Sequence, residues 1–420
     1  MSQHFPRAAA LAVAFSAALA PTPASAASAT SAAPITFNQA LELAAQRSEA
    51  TRGARAGVTS ASESARAAGQ LPDPTLRVGI DNLPATGGDR FSTTRDSMTM
   101  KRIGIGQEWL SSEKRAARQA AADALVARER VAVQRAAAEV RLQTALAYLD
   151  AFYAGETLKL TRLTEHHLHE ELEAAKARLS SAAGNSQEVL ALISARGGAE
   201  DDSAEVLQTQ DAAQVALARW TGQAADELVA PPVLTVPPEQ AYVASSTNIL
   251  TAERDIEVAR GEASVAAANR HPNWTWEVSY GQRTGYADMV SVGVSIPLPV
   301  ARNQRQDRET AARLARVDKA EADLAEATRS ATAEYRALNS DVQRLTERIE
   351  RYRTAVVLPA QQRTAAAMAG YRSNQLSLMT LFEARHMEVD VQRKLLTLQR
   401  DLAKTQAQLA YKPLQEGDLQ

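Results

Sequence analysis

Two hydrophobic periods alternate along this chain. From Thr36 to Gln70, and again from Ser112 to Ala183, apolar positions return every three or four residues, with hardly a Gly or Pro inside the second run. That is the period of a helix with one buried stripe. Leu142, Leu146, Leu149, Tyr153, Leu160 and Leu163 keep the spacing, with Glu156 the one polar interruption, as packing between aligned helices requires. A helix of roughly 70 residues extends about 105 Å at 1.5 Å per residue, more than an ordinary domain is wide.

Between the runs the period falls to two. In "LPDPTLRVGI" Leu76, Val78 and Ile80 alternate with Thr75, Arg77 and Gly79, the mark of a strand with one apolar face. Gly184 and Asn185 end the long run, "SQEVLALISARGG" begins a return helix to about Trp220, and "TGQAADELVAPPVLTVPPEQ" has the Pro and Thr content of a linker.

From Asn248 the order starts again: a helix to Arg270, two alternating stretches, a long helix from about Asn303, a break at Asn374, and a return helix to about Tyr411. "LPDPTLRVGI" aligns with "HPNWTWEVSY" at an offset of 200, "IGIGQEW" with "VGVSIPL" at 189, and the breaks at Gly184 and Asn374 differ by 190. The chain therefore reads as a duplication of helix, strand, strand, long helix, turn, helix.

Composition narrows the class. The 420 residues are 45% hydrophobic but only 5% aromatic, so disorder is excluded and the buried surfaces, rich in Ala, are shallow and close. A net charge of -2 gives no electrostatic reason to expect nucleic acid. Arg7 precedes an apolar run from Ala8 to Ala20, followed by Ala24-Ser25-Ala26, which predicts a secretory signal cleaved after Ala26. No later segment offers the roughly 18 consecutive apolar residues of a membrane helix. The absence of cysteine removes disulfides, Cys-based zinc sites and a lipid-modified N-terminal Cys together.

These readings give an expected organisation. A signal peptide occupies 1–26 and a first repeat 27–230, with strands over about 73–81 and 98–108 and a long helix over about 112–183. A linker follows over 231–247, then a second repeat over 248–411, with strands over about 273–281 and 288–297 and a long helix over about 303–372, and a tail over 412–420.

The strands are of a length that lets a tilted strand cross a bilayer, the chain carries an export signal, and Trp and Tyr concentrate in them. The predicted lipid-facing set is Leu76, Val78, Ile80, Trp274, Trp276, Val278, Tyr280, Val290, Val292 and Val294, opposite Thr275, Glu277, Ser279, Ser291, Gly293 and Ser295 on the wet side. Four strands alone would leave open edges in lipid. Other chains must complete them, and three copies give a twelve-stranded barrel.

Chemistry elsewhere is sparse. His166, His169 and Glu170 or Glu173 in "EHHLHEELE" have one-turn spacing that could hold a divalent metal, although such residues are ordinary on a solvated helix face. "SSEK" at Ser111 reads as a helix cap rather than an acylating motif, and "GIG" at Gly104 belongs to a strand, where small residues suit close packing in a barrel wall. No triad, carboxylate pair or phosphate loop stands out, so the chain is read as neither an enzyme nor a cofactor binder.

The duplicated plan over about residues 35–411 resembles the outer-membrane efflux protein (TolC-like) family, the exit ducts of Gram-negative tripartite pumps. "PDPTLRVGIDNLP", "MTMKRIGIGQEW" and "SSEKRAAR" are similar to its heavy-metal resistance-nodulation-division branch, of cobalt-zinc-cadmium and copper-silver type, and "YRSNQLSLMTLFEAR" is similar to the family's periplasmic tip. The resemblance implies a fold that is mainly α with transmembrane β: long coiled-coil helices forming an α-barrel, and four strands per protomer in a trimeric barrel. It implies a homotrimer in outer-membrane lipid with its helices in the periplasm, a periplasmic adaptor (membrane fusion) protein, and an inner-membrane resistance-nodulation-division pump. It places a tip or gate at Gly184, Asn185, Glu188, Asn374, Thr380 and Glu383. The family often has acidic residues six and nine positions after the second turn; here those positions are Thr380 and Glu383, which leaves Glu383 as the better acidic candidate and Glu188 as a weaker one. Export of drugs or other small molecules by the same kind of channel, and a periplasmic coiled-coil adaptor or scaffold, remain alternatives at this point.

Overall fold

The computed structural model describes residues 34–181, 184–225 and 227–414. The expected signal peptide, Ala183 and most of the expected tail, 415–420, lie outside them. In chain order the elements are α1 Phe37–Arg47, α2 Glu49–Ala68, β1 Thr75–Asp81, β2 Met100–Trp109, α3 Ser112–Ser180, α4 Ser186–Thr221, α5 Glu239–Ala244, α6 Thr247–Ala268, β3 Trp274–Arg283, β4 Met289–Ser295, α7 Gln306–Tyr352, a π turn Arg353–Val357, α8 Leu358–Arg372 and α9 Leu378–Tyr411.

The 69 residues of α3 form one unbroken helix, about 104 Å long at 1.5 Å per residue. It packs along α2, α4, α6 and α9, and α6 packs along α7. The four strands form one antiparallel sheet in the order β1-β2-β3-β4, so each strand continues the wall of helices from which it springs.

Three expectations are corrected. The helix expected over Thr36 to Gln70 is two helices, because Ser48 takes an extended conformation and accepts a hydrogen bond from Thr51 N at 3.0 Å, capping α2. The linker over 231–247 contains α5, whose Tyr242 is buried against Tyr335 with ring centroids 5.3 Å apart. The single helix expected over 303–372 begins at Gln306 and is interrupted by the π turn just before Pro359. Proline has no N–H and its ring collides with the carbonyl four residues back, so the α-helical ladder must yield there.

Burial is distributed along the length rather than gathered in one centre. Midway, Ile35, Phe37, Tyr148 and Leu217 pack together, with Phe37 edge-on to Tyr148 at 5.3 Å. Tyr148 Oη lies 2.8 Å from the Ile35 carbonyl and 2.6 Å from the Val229 carbonyl, and burial pushes its hydroxyl pKa up to about 12. At the far end from the sheet, Leu168, Leu172, Leu192, Leu378 and Leu381 form a second core.

Candidate functional site

The sheet is built inside out for a water-soluble domain. On one face Val78, Val290 and Val292 are 74%, 70% and 74% exposed, and Leu76, Ile80, Trp274, Val278, Tyr280 and Val294 are exposed with them; Trp276 is half-buried. On the other face Ser279 is only 4% exposed. A Cβ placed on Gly104 would stand 2.7 Å from Ser279 Cβ, its partner in register, far inside the roughly 4.5–5.5 Å of a flat antiparallel pair. The sheet therefore curls toward its polar face and bows its apolar face outward. On the inner side Arg77, Arg102, Glu277 and Ser279 line a hollow of about 390 Å³, where Arg77 meets Glu277 at 2.6 Å and Arg102 meets Asp81 at 2.9 Å.

Where strand gives way to helix, Trp109 and Trp274 lie side by side, 5.9 Å between centroids. Nearby Lys114 Nζ donates to Asn273 Oδ1 at 2.6 Å, and Asn273 Nδ2 donates to Glu108 Oε1 at 2.6 Å. Burial, with Arg118 beside it, holds the Lys114 ammonium below the usual lysine range, and Glu108 opposes that shift. Ser111 Oγ does accept from Lys114 N at 3.2 Å, as a cap should. The side-chain bond of Lys114 to a residue 159 positions away has no local signature.

At the opposite end the two helical hairpins turn. Asn185 caps α4, its Oδ1 accepting from Gln187 N at 2.9 Å. A Cβ on Gly184 would lie 2.5 Å from Leu179 N, so the chain folds back directly onto the end of α3. Asn374 sits in the left-handed region at φ 57, a conformation that Asn adopts more readily than most residues. Thr380 is occupied within this turn: its N–H donates to Ser377 Oγ at 3.2 Å, and the two hydroxyls are 3.0 Å apart. Glu188 is half-buried and Glu383 exposed.

Above the turns lies a pair that sequence reasoning missed. Arg385 on α9 donates to Glu171 on α3 at 2.7 Å, with the two side chains 20% and 5% exposed. Burial pushes the Glu171 carboxyl up from its usual range, Arg385 pulls it back, and Glu170 adds to the rise. Beside it His167 Nδ1 is buried without a hydrogen bond, and His386 stacks on Phe382 at 5.8 Å. The nearby metal candidates do not converge: His166 Nε2 lies 3.4 Å from Glu170, His169 is exposed, and Glu173 is held by Lys176 at 2.9 Å. Among the described residues no group of three or more His, Cys, Asp or Glu is placed to hold a metal, and no helix is long and apolar enough to cross a membrane.

No protein-family model matches the sequence, and no curated protein does. Solved structures do match the fold. The outer membrane protein VceC from Vibrio cholerae is 19% identical, with a TM-score of 0.73 over 90% of this chain and 96% of that one. The outer membrane channel CmeC of Campylobacter jejuni is 12% identical, with a TM-score of 0.76 over 90% and 85%. CusC, whose structures describe folding and transmembrane channel formation, is 15% identical, with a TM-score of 0.74 over 90% and 92%. The architecture, mainly α with one small sheet, is thus that of TolC-like outer-membrane channels.

Proposed function

We propose that the chain is the outer-membrane channel of a tripartite efflux pump, a passive exit duct with no chemistry of its own. One observation carries the reading: a curved sheet bares an apolar face on its convex side and ends in open edges, at the head of a helix about 104 Å long. Three chains would close the edges into a twelve-stranded barrel in the outer membrane and continue it as a helical tunnel in the periplasm. At the tunnel's end the turns at Gly184–Asn185 and Asn374, with Glu188, Thr380 and Glu383, would form the gate. A periplasmic adaptor would spread them, and an inner-membrane resistance-nodulation-division pump would deliver the cargo.

The cargo we infer is heavy-metal cations, on the similarity of the first strand pair and of "SSEKRAAR" to that branch of the family. Purified protein should run as a detergent-extracted trimer from outer membranes and conduct in planar bilayers. Absence of conductance, even with the tip contacts removed, would sink the channel reading. A deletion strain should lose tolerance to zinc, cobalt, cadmium, copper or silver. Raised sensitivity to hydrophobic antibiotics with unchanged metal tolerance would overturn the metal assignment and leave the channel.

A further inference from the structure

Arg77 on β1 and Glu277 on β3 are 200 positions apart, the offset that superimposes the two repeats, so they are one position in two copies. Their side chains meet at 2.6 Å by reaching over β2. The floor of that crossing is glycine: Gly104 stands opposite Arg77, and Gly106 opposite both Thr75 and Glu277. The second copy repeats the floor in small residues. Gly293 stands opposite Glu277 and Ser295 opposite Thr275, the positions of Gly104 and Gly106 at the offset of 189. Here, however, nothing crosses. β4 is a sheet edge, and a Cβ on Gly293 would meet nothing within 4 Å. Arg77, on the other edge, spends one Nη1 contact on Glu277 and keeps 61% of its side chain exposed, although a guanidinium has five N–H donors.

We propose that β4 of one chain pairs with β1 of the next in the register by which β2 pairs with β3, so that Glu277 also accepts from Arg77 of the partner subunit across Gly293. Ser295 then stands opposite Arg77 of the partner subunit. In a three-chain barrel the result is a closed ring of six alternating charges around the lumen, half made within chains and half only between them. The ring fixes the register of the interface and holds this level of the duct neutral, so that it favours neither sign of ion. This inference rests on the barrel reading.

Because the chain has no cysteine, paired Cys variants report without background. Residues directly opposite in a sheet lie within disulfide reach. The double variant R77C/S295C should therefore oxidise to covalent trimers, whereas L76C/S295C, one residue out of register, should not. In bilayers at low salt, R77Q leaves a ring of carboxylates and should shift the permeability ratio toward cations by about twofold or more. E277Q should shift it toward anions, and R77Q/E277Q should return it near the starting value. A conducting trimer in which R77C/S295C stays uncrosslinked, or in which R77Q and E277Q do not shift selectivity in opposite senses, overturns the ring and leaves the channel standing. A monomeric protein that does not conduct overturns the barrel and the ring with it.

Discussion

The first repeat travels from sheet to tip on one helix, α3, while the second covers the same path as α7, a π turn and α8. A single proline makes the difference: Pro359 has a counterpart 190 positions earlier in His169, which leaves the ladder of α3 intact. Val357 and Ala360, on either side of that point, still pack on Val391 of α9. One repeat thus supplies a continuous strut, and the other a strut with a built-in point of yield just above its tip. What fastens the two together matters most below that point, where Glu171 and Arg385 form a buried link between α3 and α9.

Breaking that link should have the largest effect. Arg385→Met leaves Glu171 buried without its partner, a loss of about 3–5 kcal/mol by analogy with broken buried pairs, to be read by denaturant unfolding in detergent. The pH dependence has a definite sign. A carboxyl whose folded-state pKa is raised contributes its stability at low pH and loses it as pH rises through the raised value, and burial already raises Glu171. The deficit of Arg385→Met should therefore shrink on acidification, as Glu171 takes up a proton. A deficit independent of pH would mean that the loss comes from packing rather than from the stranded charge.

The middle of the molecule gives a milder contrast. Tyr148 in the first repeat is fully buried and ties two backbone carbonyls, whereas Tyr335 in the second ties one, the Pro237 carbonyl at 3.0 Å. Tyr148→Phe removes the one O–H these carbonyls share. The Ile35 carbonyl keeps the Val229 N–H at 3.2 Å, the Val229 carbonyl loses its donor at the fully buried ring, and the change should cost about 1–3 kcal/mol. Tyr335→Phe should cost about 1 kcal/mol or less, since its bond is only partly buried. Equal losses in thermal unfolding would deny the asymmetry between the repeats.

What the sequence disclosed follows from the range of each signal. Period and offset are local or self-referential, so α3, the strand faces, both turns and the duplication could be read directly. Arg77 and Glu277 could have been found the same way, by carrying the offset of 200 into the side chains. Glu171 and Arg385 could not: they lie 214 positions apart, and on a helix each looks like one more charge on a solvated face. The Lys114 to Asn273 contact is hidden for the same reason. The π turn was visible in principle, because Pro359 stands within the run, but apolar residues step from Tyr335 to Val356 without a lapse, and a pattern of side chains does not report a missing backbone donor. α5 escaped because six residues amid prolines carry too few turns to show a period.

Removing the proline should change the global balance least and the comparison most directly. In Pro359→Ala the new N–H can bond the carbonyl of Ala355, and α7 and α8 can join as α3 does. A proline in a regular helix interior costs about 3 kcal/mol, but here the π turn already absorbs most of the conflict, so the change in unfolding free energy should stay within about 1 kcal/mol. The effect should instead be local. Amides 353–358 should become more protected from hydrogen exchange, approaching the middle of α3, and in the channel proposed above a stiffer strut should make opening rarer. Protection unchanged at 353–358 would place the cause of the π turn in the packing of Val357 and Ala360 on Val391 rather than in the proline.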